Sequence, residues 1–153
     1  MSLIESIKAN EGFRANIYQC TAGVDTVGYG FNVKYLEEDE LALNNGVVEP
    51  MSPEVADKIL ELKLEKLKAA LIREFSWVEQ KPVIVQEALL EMAYQLGIPK
   101  MKGFSQTLRY IEVDDLGSAV RNLRNSRWAQ QTPRRVENLI RSLQNAIGSL
   151  QNA

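Results

Sequence analysis

Only one stretch of this 153-residue chain, Ile17 to Phe31, carries a β-like pattern, and Gly23, Gly28 and Gly30 punctuate it. Two short extended pieces, Ile17–Cys20 and Val24–Phe31, flank Thr21-Ala22-Gly23, which predicts a small hairpin. The rest has helical spacing, so an extended sheet is excluded and a mostly helical α+β fold is expected. Period-2 alternation through the second piece puts Thr26, Gly28 and Gly30 on one face and Asp25, Val27, Tyr29 and Phe31 on the other. The Thr26 face is then nearly bare of side chains. Glycines in a strand mark a bend or the close approach of a ligand or of other backbone.

Ahead of this region, Ser2 and Glu5 form a capping-box pattern, and Ile4, Ile7 and Glu11 recur on one helix face until Gly12 stops the helix. Glu11 thus continues an apolar stripe at a helix end. The acidic run Glu37-Glu38-Asp39-Glu40 reads as a solvated helix turn, and Asn44-Asn45-Gly46 with Pro50 as a loop. Ser52 as N-cap, Pro53 at the first helical position and Glu54 in the first turn open a long helix spaced by Val55, Ile59, Leu62, Leu67, Leu71 and Phe75. A strongly apolar helix follows over Pro82–Leu96, ended by Gly97 and Pro99. Further helices are expected near 104–111, 114–124 and 133–147, the last opening at Thr132-Pro133.

The chain has no histidine and a single cysteine. That excludes a Ser-His-Asp triad, a Cys-His protease, His-ligated zinc hydrolysis and an internal disulfide, and leaves a chemistry resting mainly on carboxylates. Charge is uneven: residues 1–99 carry net −7 and residues 100–153 net +5. Arg109, Arg121, Arg124, Arg127, Arg134, Arg135 and Arg141 form either solvated helix faces or a surface for a polyanion, such as nucleic acid or acidic bacterial wall material. The segment from Met1 lacks a basic start followed by an apolar stretch, and no apolar run approaches the roughly 18 residues of a membrane span. The expectation is a protein that needs outside help for export.

Glu11-Gly12-Phe13-Arg14, Tyr18, Cys20-Thr21, Gly23 and Thr26-Val27-Gly28-Tyr29-Gly30 together resemble the active-site signature of the phage-type lysozymes, the endolysin muramidases. That family's pattern is Glu, eight residues, Asp or Cys, five residues, Thr, and Glu11, Cys20 and Thr26 have that spacing. Met92-Ala93-Tyr94-Gln95-Leu96-Gly97, Gly103-Phe104-Ser105-Gln106-Thr107-Leu108-Arg109 and Ser126-Arg127-Trp128-Ala129-Gln130-Gln131-Thr132-Pro133-Arg134-Arg135 look like further family segments, so the resemblance covers almost the whole chain. Two departures stand out. Phe31 occupies a position where family members often carry His, and Cys20 replaces the second acidic residue, which the family pattern permits.

The resemblance implies a lysozyme-like fold with a hairpin lobe at 13–51, a connecting helix at 52–75 and a helical lobe at 76–153 to which residues 1–12 return, with a cleft between lobes. It implies hydrolysis of the β-1,4 bond between N-acetylmuramic acid and N-acetylglucosamine in peptidoglycan, with no metal or organic cofactor. Glu11 is then the general acid. An apolar setting raises a carboxyl pKa and a nearby Arg, implied at Arg135, lowers it. On the opposite face of the sugar, Thr26 holds a water and Cys20 acts as base, as nucleophile or only in packing. Substrate contacts are expected from Tyr18, Gly28, Gly30 and Phe31 on one wall and from Tyr94, Gln95, Gln131 and Arg135 on the other. Tyr94 and Trp128 are also natural core aromatics. Asp25 is a tempting replacement carboxylate, but alternation turns it away from Thr26. The implied setting is a monomer in a phage or prophage lysis cassette, made in the host cytoplasm and dependent on a holin-type membrane protein, without nucleic acid or membrane insertion. A lytic transglycosylase working with one Glu and a non-catalytic wall-binding module are the alternatives.

Overall fold

Ser2 Oγ accepts the Glu5 backbone N–H at 3.2 Å and Glu5 Oε2 accepts the Ser2 N–H at 3.2 Å. The expected capping box therefore opens α1 (Leu3–Glu11). Gly12, at φ 72°, closes the helix by returning its N–H to the Lys8 carbonyl. The computed structural model describes residues 2–151, and of 149–151 the backbone alone. Its contacts divide the chain into two units, one ending at Lys66 and the other beginning at Leu67.

In the first unit, β1 (Arg14–Gln19), β2 (Asp25–Gly28) and β3 (Phe31–Asn32) form an antiparallel sheet in the order β1-β2-β3. The expected single strand from Val24 to Phe31 is corrected. It breaks after Gly28, because Gly28 (φ 65°) and Gly30 (φ 73°) adopt left-handed conformations that no strand can continue. The hairpin becomes a three-stranded meander, and Tyr29 leaves the strand alternation for a turn. Tyr18, Thr26 and Asn32 stand opposite one another across the sheet, as do Val27 and Phe31 across β2 and β3. A 3-10 turn at Val33–Tyr35 and the short helix α2 (Glu38–Ala42) follow. The next loop is pinned to β1: Ile17 donates its N–H to Glu49 Oε2 at 2.7 Å and Met51 its N–H to the Ala15 carbonyl at 2.9 Å. Asn44 Nδ2 donates to the Val47 and Pro50 carbonyls, bracing the loop from inside. The long helix α3 (Pro53–Glu74) starts as the sequence predicts, with Ser52 Oγ accepting the Val55 N–H at 3.2 Å. Ile7, Val27, Met51, Ala56, Ile59 and Leu60 are buried and form the core of this unit.

The second unit is helical: a 3-10 turn at Ser76–Gln80, then α4 (Val83–Leu96), α5 (Ile98–Met101), α6 (Ser105–Glu112), α7 (Leu116–Arg124), α8 (Arg127–Gln131) and α9 (Pro133–Gln151). Gly97 ends α4 as expected. Pro99, however, lies in the first turn of α5, where the missing N–H would have had no helical partner anyway. Thr132 turns its hydroxyl back to the Trp128 carbonyl at 3.1 Å, tying α8 to the start of α9. Helix α9 packs on α4, α7 and α8. Trp128 is buried edge-on against Phe104 at 5.8 Å, which makes it a core aromatic.

The acidic run in α2 is only partly solvated, which corrects the sequence reading. Glu40 is 1% exposed. Its Oε1 accepts the Glu37 N–H at 3.0 Å, and the carboxylate pairs with Lys63 at 3.0 Å and Lys66 at 3.3 Å, both on α3. Burial alone would raise this carboxyl, but the Glu37 N–H and the two ammonium groups hold it below its ordinary value. A lowered folded pKa contributes stability above the unfolded value of about 4.3 and loses it as pH falls through the folded pKa. Glu40→Gln should therefore cost about 2 kcal/mol at pH 7, since it leaves buried partners mismatched. Denaturant titrations at pH 7 and pH 3 should show the gap to the parent shrinking on acidification; an unchanged gap would contradict the assignment.

Candidate active site

Glu11 is the last residue of α1 and is half-buried. Its carboxyl lies against the backbone of Gly30 so closely that a Cβ added at Gly30 would overlap Glu11 Oε2. Gly30 is therefore required twice, by its positive φ and by the carboxyl in the space a side chain would take. The turn is fixed by its other residue. Tyr29 is 4% exposed and stacks with Phe13 at 5.5 Å and, edge-on, with Phe31 at 6.2 Å. Its hydroxyl donates to Asp57 Oδ1 at 2.8 Å.

Cys20 and Thr26 are brought together at the other end of β2. The half-buried Cys20 begins the β1–β2 turn, where its N–H donates to the Val24 carbonyl at 3.1 Å and its carbonyl accepts the Gly23 N–H at 2.8 Å. Backbone N–H groups of Val24 and then Ala22 favour the thiolate and outweigh burial, so the thiol titrates below its ordinary value. Thr26 is 5% exposed and donates its own hydroxyl hydrogen to the Val24 carbonyl at 2.8 Å. Its oxygen keeps acceptor capacity. Tyr18, opposite Thr26 in β1, is half-buried beneath the Arg14 guanidinium, 4.7 Å from the ring centroid.

Two expectations about this face are corrected. The missing side chain of Gly28 does not open room for a sugar: a Cβ there would meet Phe31 at 2.7 Å and Met51 Sδ at 3.1 Å, so protein fills the space. Phe31 is 2% exposed, beneath Lys63 at 5.4 Å from its ring, and its side chain belongs to the core. Asp25, as alternation predicts, turns away from Thr26. It lines an open cavity of about 580 Å³ with Gln19, Asn32, Lys34 and Tyr35.

In the second unit, Tyr94 and Gln95 end α4 half-buried, Gln131 ends α8 exposed, and Arg135 is half-buried in the first turn of α9. Among the described residues, no hydrogen-bond donor meets the buried acceptor Gln95 Oε1. Such an atom needs a partner from a ligand or water. Of the basic side chains, Arg109 pairs with Glu112 and Arg124 with Glu137, while Arg127, Arg134 and Arg141 are exposed. Among the described residues, no group of three or more His, Cys, Asp or Glu converges as a metal site, and no helix is long and apolar enough to cross a membrane.

Sequence reasoning passed over Lys8 and Asp57. Lys8, one helical turn before Glu11, pairs with Asp57 at 3.1 Å and lies 5.3 Å from the Tyr29 centroid. Its spacing from Glu11 was a signal; nothing in the sequence pointed to Asp57, which reaches the turn only through the fold.

A carboxyl at the end of α1, a glycine turn packed on it, and Cys20 and Thr26 both hydrogen-bonded to the Val24 carbonyl are set on an α+β scaffold. The phage lysozyme family model matches residues 8–145, and the chain belongs to that family. It is a peptidoglycan-hydrolysing muramidase, a glycoside hydrolase. It is similar to two Dictyostelium discoideum proteins, "Probable T4-type lysozyme 2" and "Probable T4-type lysozyme 1", with 27% and 23% identity over 91% of this chain and 91% of each relative. It is also similar to the "Pre-baseplate central spike protein Gp5" of Enterobacteria phage T4, at 25% identity over 91% of this chain and 27% of that protein.

The Cys20 environment yields a direct check. Alkylation by iodoacetamide should show a pH midpoint below the roughly 8.5 of an ordinary thiol. A midpoint at or above that of the unfolded chain would contradict the assigned hydrogen bonds.

Proposed function

We propose that the chain cleaves the β-1,4 bond between N-acetylmuramic acid and N-acetylglucosamine with Glu11 as general acid and Thr26 and Cys20 serving the opposite face of the sugar. Glu11 gives its proton to the departing glycosidic oxygen as the bond to the anomeric carbon breaks. Thr26, whose hydrogen is held by the Val24 carbonyl, accepts one hydrogen of a water and leaves that water's lone pair for the anomeric carbon. The other proton passes to the Cys20 thiolate. The observation that carries this reading is that Cys20 and Thr26 both hydrogen-bond to the Val24 carbonyl, in the same unit as the turn that packs on Glu11.

Substrate contacts are assigned to Tyr18 in the first unit, to the backbone of Gly28 and Gly30, and to Tyr94, Gln95, Gln131 and Arg135 in the second. The unmet acceptor of Gln95 suits an amide N–H of the substrate. The protein works as a monomer in host lysis, made in the host cytoplasm and released to the wall by a holin-type membrane protein. Membership of the phage lysozyme family supports this setting.

The test is mass spectrometry of muropeptides released from purified peptidoglycan by the parent, Glu11→Gln and Cys20→Ser. Hydrated, reducing-end products should appear with the parent, vanish with Glu11→Gln and fall by roughly a hundredfold with Cys20→Ser. Anhydro products would mean ring closure by the muramic hydroxyl, the transglycosylase chemistry that a lost second carboxylate favours. A sugar adduct on the intact protein would mean that Cys20 is the nucleophile. Glu11→Gln with the parent's activity would remove Glu11 from the mechanism.

A further inference from the structure

β2 ends at Gly28 and β3 begins at Phe31, so beyond the Val27–Phe31 pair the chain reverses through Gly28, Tyr29 and Gly30. Two of the three are glycines in left-handed conformations, and glycine holds no backbone conformation by itself. Yet Gly30 lies against the Glu11 carboxyl with no room for a Cβ. Something other than the local chain must fix that approach, and the side chain between the glycines is the one anchored.

We propose that Tyr29 is a positioning residue for Glu11, clamping the Gly-Tyr-Gly turn to α1 and α3 through the Lys8–Asp57 pair. Asp57 Oδ1 accepts the Tyr29 hydroxyl at 2.8 Å and the Lys8 ammonium at 3.1 Å, so one carboxylate oxygen joins all three elements. The same ammonium lies over the Tyr29 ring at 5.3 Å. Lys8 and Glu11 stand at i and i+3 on α1, hence on one side of the helix. A movement of the turn relative to Lys8 is therefore also a movement of Gly30 relative to Glu11. Phe13 and Phe31 close around the Tyr29 ring, while the Lys8–Asp57 pair stays partly open to solvent. Tyr29 itself transfers no proton.

This inference rests on Glu11 being the acid, so its experiment includes both questions. Steady-state hydrolysis of soluble peptidoglycan fragments is measured for the parent, Tyr29→Phe, Lys8→Met, Lys8→Arg and Glu11→Gln, well below the melting temperature of each. Tyr29→Phe keeps the ring and removes the hydroxyl; kcat should fall about tenfold with KM within about twofold. Lys8→Met should lower kcat about threefold, and Lys8→Arg, which keeps the ion pair and the stacking, should return it to the parent value. A Tyr29→Phe protein that melts earlier but turns over like the parent would overturn the proposal. So would equal losses for Lys8→Met and Lys8→Arg, and that pair decides the matter if Tyr29→Phe does not fold. Failure of the underlying reading is distinct: Glu11→Gln would then turn over like the parent.

Discussion

The Glu11 carboxyl occupies the volume that a side chain at position 30 would need, which ties the end of α1 to the turn between β2 and β3. It favours a glycine at 30, as the left-handed backbone there does independently, and β2 ends two residues earlier. With the strand broken, Tyr29 leaves the sheet and is buried in the turn as an anchor. Gly28 has an analogous origin on the other side of the turn, where Phe31 and Met51 take its space. Both glycines are thus explained by packing within the protein.

Sites that use a carboxylic acid need it held, since misplacement by about 1 Å can cost two orders of magnitude in rate. Glu11, the acid of the proposed mechanism, sits at a helix terminus, where the backbone lacks intrahelical partners. The structure compensates with contacts from outside the helix: the turn packed on the carboxyl and, one turn earlier, the Lys8–Asp57 pair. Cys20 and Thr26 are held differently, by backbone hydrogen bonds within a tight turn and by the register of β1 with β2. Loop 43–52 supports that register, because Glu49 and Met51 hydrogen-bond to the backbone of β1.

Much of this was legible in the residues, for physical reasons. Ser2 with Glu5 and Ser52 with Pro53 are local signals, complete within four residues, and the helices they announce begin where expected. The long apolar helix α4 has enough turns for periodicity to speak, whereas α5 and α8, at 4 and 5 residues, do not. The β region was located but misjudged in form, since alternation carries no information about the sign of φ at Gly28 and Gly30. Glu40 was misread because the ammonium groups that permit its burial lie 23 and 26 residues further on. The spacing of Glu11, Cys20 and Thr26 was visible directly; Lys8, Tyr29 and Asp57 became a group only in three dimensions.

Gly30 is constrained by the Glu11 carboxyl as well as by its backbone angle, and a matched pair of substitutions separates the two. Gly46 has a φ of 82° and open space around its Cα, so Gly46→Ala suffers left-handed strain alone, whereas Gly30→Ala suffers that strain and the collision with Glu11. Both variants should lose about 1 kcal/mol of stability from the backbone. Turnover of peptidoglycan, measured where both are folded, should survive in Gly46→Ala and fall at least about a hundredfold in Gly30→Ala. Equal turnover in the two variants would show that the Glu11–Gly30 contact does not hold the site.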